Sequence, residues 1–186
     1  MEDSLKVYVL LTDTGTIFTR LIKLFTKVPL NHASIALDSS LEEVYSFGRK
    51  CPKNPWIGGF VREDVRGELF EGATCAVFYC KVDRESFARM KSRIEEIKRN
   101  EHQYKYNLLG LFGILLKKRI RRERAYFCTQ FVAAMLEENG ISVSAKPSEL
   151  TTPYDFEQTN ALRTMYRGSL RTYIARQRED MHIAAK

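Results

Sequence analysis

Histidine is scarce in this chain of 186 residues, with three (His32, His102 and His182), and tryptophan scarcer, with Trp56 alone. So few imidazoles shorten the search for a general base or a metal ligand. Four cysteines (Cys51, Cys75, Cys80 and Cys128) are no disulfide scaffold at this length. The Cys75/Cys80 pair has no second cysteine pair or histidine at finger spacing, so no metal is expected and no cofactor is implied. Ten glycines and five prolines exclude collagen-like and low-complexity sequence. Long apolar runs are missing too: Leu108 to Leu116 includes two glycines and is about half a membrane span. The N-terminal MEDSLKVYVLLTDTG carries acids where a signal peptide carries a basic segment, and Val7 to Leu11 is too short for its apolar core. The expectation is a soluble, cytoplasmic chain with reduced thiols.

What is present is the composition of a folded domain: 44% hydrophobic and 28% charged residues, enough to bury a core. Thirty Lys and Arg against 23 Asp and Glu leave a formal charge of +7, which favours acidic partners. Six of the eight residues from Lys117 to Arg124 are basic.

The chain divides into short elements. Leu5 to Thr12 reads as a buried strand, and Ile17, Phe18, Leu21, Leu24 and Phe25 as one face of a helix stopped before Pro29. His32 to Leu37 and Glu43 to Phe47 read as a hairpin around Asp38-Ser39-Ser40. Residues 48–60 read as a Gly/Pro-rich loop, Phe60 to Val65 as a short strand, and Ala73 to Val82 as a strand. Asp83 caps a charged helix reaching Asn100, and a third helix runs from Cys128 to Asn139-Gly140. Residues 1–162 are expected to form one domain, and 163–186 a basic C-terminal helix or tail.

Of the histidines, His32 opens a strand at the mouth of an apolar segment, whereas His102 and His182 lie in polar surroundings. Cys128 opens a helix, where free N–H groups and the positive end of the helix dipole favour a thiolate, and the basic run upstream pushes the same way. A strand-end imidazole and a helix-start thiol are the parts of thiol acyl transfer: the ring takes the proton and the sulfur attacks a carbonyl. Cys75 and Cys80, within a strand, read as apolar filler, and Cys51 as a loop thiol.

His32-Ala-Ser-Ile-Ala-Leu, then Val44-Tyr-Ser-Phe-Gly, then Tyr126-Phe-Cys-Thr-Gln-Phe-Val resembles the circularly permuted papain-like group of the NlpC/P60 superfamily. That group contains YiiX-like proteins, LRAT-like acyltransferases and PPPDE peptidases. The resemblance spans roughly residues 5–156 and includes Thr152-Pro153-Tyr154-Asp155 after the Cys128 helix. It implies an α+β fold in which an antiparallel sheet packs against the helix carrying the nucleophilic Cys128, with His32 as base. The orienting residue would fall on Ser46, which is no carboxylate; Glu43, Tyr45 or a bare Cys–His dyad are the alternatives. Tyr45, Trp56 and Tyr126 are candidate substrate-lining aromatics, alongside Phe47, Tyr104 and Tyr106.

The first functional reading is a cysteine peptidase or amidase acting on a peptide or amide through an acyl-enzyme. The alternative is an LRAT-like lipid acyltransferase, phospholipase or thioesterase. There, the apolar run 108–116 and the basic run 117–124 would meet an anionic membrane surface. The third is a basic nucleic-acid-binding module, disfavoured because no finger, helix-turn-helix or aromatic RNA-binding strand accompanies the charge.

Overall fold

Val7, Val9 and Leu11 alternate with Tyr8 and Leu10, and all five are buried, so this strand needs cover on both faces. The computed structural model, which describes residues 4–13, 29–51 and 54–184, gives it that position. Strand β1 (Leu5–Asp13) is interior to a six-stranded sheet with β2 (His32–Ala36), β3 (Val44–Cys51), β4 (Asn54–Arg62), β5 (Thr74–Val82) and β8 (Arg163–Ser169). The order is β4-β3-β2-β1-β5-β8 and every pairing is antiparallel. A small parallel pair, β6 (Lys105–Tyr106) with β7 (Ala125–Tyr126), stands apart. The described residues contain five α-helices: α1 (Arg84–Arg99), α2 (Leu108–Leu115), α3 (Cys128–Glu137), α4 (Pro153–Gln158) and α5 (Leu170–Ala184). None of these is long and apolar enough to cross a membrane. The molecule is an α+β protein.

The two faces of the sheet carry separate cores. On one, Val9, Ala33, Ile35, Phe47 and Phe78 pack with Met90, Ile94 and Ile97 of α1 and with Phe131, Val132 and Met135 of α3. On the other, Tyr8, Leu10 and Val77 pack with Leu170, Tyr173 and Ile174 of α5. Each fully buried side chain of this size contributes about 1.5–3 kcal/mol, so both helical layers are integral. The Asp38 side chain shapes the β2–β3 turn by accepting from Ser40 Oγ and from the Glu42 and Glu43 N–H groups. Asp83 caps α1 by accepting from Ser86 N–H, as expected. Thr152 and Asp155 form a reciprocal capping box at α4.

Two expectations change. Residues 48–60 are not a loop: β3 and β4 extend through most of them as a hairpin arm. Their glycines serve close approach, since a Cβ on Gly58 would lie 2.9 Å from Tyr106 Cβ and 3.0 Å from the Gly48 carbonyl. Residues 163–186, expected as a helix or tail, do carry a helix (α5), but 163–169 form the edge strand β8 against β5. That strand is largely exposed and carries Arg163 and Arg167, a composition that blunts an edge and hides the strand from a search for apolar alternation. The expected helix over residues 17–28 lies outside the described residues.

Helix α2 is held against the chain before Cys128 by small residues. A Cβ on Gly110 would fall 2.9 Å from Phe127 Cε1, an atom of a fully buried ring with no room to retreat. Gly110→Ala is therefore expected to destabilise the protein by about 1–3 kcal/mol, as overpacking does. Urea denaturation should show a lower midpoint at unchanged slope.

Candidate active site

Pairing between β2 and β3 covers only Ile35–Tyr45 and Ala36–Val44. Nearer its start, β2 is paired with β1 through Thr12–His32, Leu11–Ala33 and Leu10–Ser34, but not with β3. Helix α3 packs across β2 and β3. Its N-cap, Phe127, is extended and offers no capping side chain, and the first helical bond runs from Phe131 N–H to the Phe127 carbonyl. The N–H groups of the first turn thus lack intrahelical acceptors. Cys128 occupies the first helical position.

The structure brings Cys128 and His32 together, as the sequence suggested. The sulfur and the ring are close enough to shift each other's titration, and hydrogen bonding from the ring and from the Ala33 and Thr129 N–H groups favours the thiolate. Cys128 is 6% exposed and the His32 side chain 19%, so the ring keeps a path to solvent. On its other side, His32 Nε2 lies 2.6 Å from Glu63 Oε1. With Nε2 engaged there, Nδ1 is the ring nitrogen left for the thiol.

Glu63 is the residue that the sequence reading missed. Ser46, expected at the orienting position, instead donates to Glu63 Oε1, and Ser34 Oγ donates to Oε2 at 2.9 Å. The hydroxyls hold the carboxylate, and the carboxylate holds the ring. Strand register explains the outcome: Ser46 faces Val61, so Glu63, two residues on, projects from the same face beside it. Its own N–H donates to the Val44 carbonyl at 2.9 Å, continuing the β4 ladder. The only available signal was the carboxylate in the run Phe60 to Val65, read as a possible strand.

The other candidates disperse. Tyr45 is 1% exposed, stacked on Phe60 at 5.9 Å between centroids, and its hydroxyl donates to Glu43 Oε1 at 3.4 Å, away from the imidazole. It is a core residue, and neither it nor Glu43 orients His32. Tyr126 packs 5.1 Å from Phe47 and lines a cleft of about 960 Å³ with Tyr104, Gln130, Arg93 and Glu149; Cys128 and His32 are not in its wall. Trp56 falls in β4, but its side chain lies outside the described residues, as does that of Cys51.

Electrostatics follow from this line of groups. Burial by itself would push His32 down, but the Glu63 carboxylate and the Cys128 sulfur on either side outweigh it and hold the ring well above its usual value. Burial would raise Glu63, and the facing imidazolium with the His32, Ser46 and Ser34 hydrogen bonds lowers it instead. Cys128 follows suit: burial opposes ionisation, while the His32 charge and hydrogen bond and the two N–H donors bring the thiol below its ordinary value. In contrast, burial pushes Cys75 up to about 12 and Cys80 up to about 11. Those two thiols stay protonated at neutral pH.

NMR titration of the imidazole resonances should find His32 still protonated at neutral pH. Removing either counter-charge, in Cys128→Ala or Glu63→Gln, should bring its midpoint down. A His32 that titrates near its usual value in the wild type, unmoved by both substitutions, would contradict this charge arrangement. Because Glu63 is depressed, the stability it contributes is present above its unfolded value and is lost as pH falls through its folded midpoint.

Compared with known proteins, the chain matches no family model, and no curated protein or solved structure is significantly similar to it.

Proposed function

We propose that this chain is a cysteine hydrolase of amide bonds, a peptidase or amidase, on a circularly permuted papain-like fold of the NlpC/P60 kind. The observation that carries the reading is the continuous line Cys128–His32–Glu63: a thiol at a helix start, an imidazole at a strand start, and a buried carboxylate behind it. The chain order, with His32 before Cys128, is that of the permuted group. The departure from it is the orienting residue, which comes from the end of β4 instead of the strand after the histidine.

In this mechanism the Cys128 thiolate attacks the carbonyl carbon of a bound amide, and the free N–H groups at the start of α3 stabilise the negative oxygen that develops. His32 Nδ1–H protonates the departing amine, leaving a thioester on Cys128. The neutral ring then takes a proton from water, whose oxygen attacks the thioester and releases the acid. Glu63 neither gives nor takes a proton. It fixes the ring plane and tautomer and offsets the imidazolium charge, which a serine at position 46 could not do alone. A reduced, cytoplasmic setting suits such a thiol.

Alkylation by iodoacetamide, read residue by residue by mass spectrometry, tests this directly. Cys128 should react fastest near neutral pH, with Cys75 and Cys80 inert. His32→Ala should slow its reaction about 100-fold and Glu63→Gln about tenfold, in the range general-base and orienting groups supply. On a fluorogenic peptide or amide library, Cys128→Ala should abolish turnover. The proposal fails if Cys51 reacts faster than Cys128 and His32→Ala leaves the rates unchanged.

A further inference from the structure

Helix α2 is built the wrong way round for a surface helix. Its small residues face the protein: Gly110 and Gly113 are buried, against Phe127 and against Ile120 with the Lys118 carbonyl. Three of its large residues face water: Leu109, Phe112 and the capping Leu116 are 54%, 55% and 67% exposed, while Leu108, Leu111 and Ile114 are half-buried. Spaced three and four apart, these three share one face. A globular protein gains nothing from such a face alone, and clustered apolar exposure marks a contact surface.

The basic run is fastened to this face. Lys117 N–H donates to the Ile114 carbonyl and Lys118 N–H to the Gly113 carbonyl, the paired bonds of a Schellman turn. Lys117 takes the left-handed conformation there, at φ 51°, where glycine is usual. The chain thus keeps a positive side chain at a position where it costs backbone strain. Arg119 turns away to Glu149 at 3.0 Å and Arg124 to Gln103. Lys117, Lys118, Arg121 and Arg122 remain exposed, and none is in an ion pair with a described residue; Lys117 and Lys118 directly follow Leu116, while Arg121 and Arg122 stand on the wall of the cleft that Tyr126 lines. No acid occurs between Leu108 and Arg122.

The unit is also locked to the proposed nucleophile. Asn107 caps α2 by accepting from Gly110 N–H, while its amide donates to the Ile120 carbonyl at 3.2 Å and to Gln130 Oε1 at 3.3 Å in the first turn of α3. An apolar ridge flanked by unpaired cations, rigidly joined to the Cys128 helix, fits a flat anionic surface with an apolar interior.

We propose that α2 and the loop 117–122 dock the protein on an anionic lipid bilayer, with Leu109, Phe112 and Leu116 entering the headgroup boundary and the four cations meeting lipid phosphates. A second copy is the poorer occupant, because a symmetric contact here would set like-charged loops together on chains of formal charge +7. The proposal is independent of the hydrolase reading.

Flotation of the full-length protein with vesicles tests it, using phosphatidylcholine alone and phosphatidylcholine with about one-quarter phosphatidylglycerol. Binding should be at least about tenfold stronger to the anionic vesicles and fall as salt is raised. Leu109→Ser/Phe112→Ser/Leu116→Ser should weaken it about tenfold or more, and Lys117→Glu/Arg121→Glu should do the same at low salt. Phe112→Ser alone gives a milder loss and guards against misfolding of the triple variant, with far-UV circular dichroism as the check. Cys128→Ala should float like the wild type, separating this result from the catalytic one. The proposal is overturned if the wild type does not float, if it floats equally with both vesicles, or if the variants float as it does. It is equally overturned if the apolar variants alter only self-association in sedimentation velocity.

Discussion

A carboxylate buried near the end of the sheet governs the rest of the site. Glu63 is 7% exposed, and an ionised carboxylate so far from water is tolerated only when its oxygens are satisfied. Its two oxygens take three donors: the His32 ring, Ser46 and Ser34. These come from β2 and β3, while Glu63 itself continues β4, so one polar cluster ties three strands together where the β2–β3 ladder has stopped. The gap in the ladder and the cluster depend on each other. With β2 and β3 no longer bonded at that end, the Ala33 N–H is free to meet the Cys128 sulfur, and the side-chain bonds to Glu63 take over the lateral connection that the backbone gives up.

The same cluster sets the charges. A carboxylate, an imidazole and a thiol in a row, each partly or wholly out of water, are most stable when the middle group is positive and both outer groups are negative. The fixed N–H groups of Ala33 and Thr129 add to this at the sulfur end. The outer carboxylate therefore acts on the sulfur without touching it, by keeping the ring cationic. It also explains why Ser46 and Ser34 are fully buried polar residues in strands otherwise filled by Val44, Tyr45, Phe47 and Ile35. Their hydroxyls are spent on the carboxylate.

How much of this was legible in the sequence differs between its parts. Cys128 and His32 could be found because each sits at an element boundary, and boundaries are written in local composition: the apolar-periodic run after Cys128, the alternation after His32. Glu63 could not, because its place depends on which residue of β4 lies opposite Ser46, and register belongs to the pair of strands and not to either one. The glycines at 58 and 59 misled for a related reason. They read as loop, whereas they thin the strand where β6 crosses it, a tertiary demand. Strand β8 escaped notice because a largely exposed edge strand has no apolar stripe to show. Tyr45 read as a groove residue only because strand alternation does not say which face is core.

The formal charge of +7 raises a last question of assignment. The basic run lies a few residues upstream of Cys128, and proximity in sequence suggests that it serves the thiolate. Geometry assigns it elsewhere. The groups that bring the sulfur below its ordinary value are His32, Ala33 and Thr129, with none of the arginines among them. The loop's cations are exposed, where water and salt weaken any field they exert on a buried group within about one Debye length. One of them, Arg119, is occupied with the buried Glu149. A buried imidazolium beside the sulfur outweighs exposed, solvated guanidinium groups, because Coulomb energy falls as the effective dielectric rises. The site thus lowers its own thiol without the loop, whose Lys117, Lys118, Arg121 and Arg122 stay exposed to what lies outside the molecule. Standing beside an apolar ridge, the surface those four charges suit best is one whose polar layer is anionic and whose interior is oil.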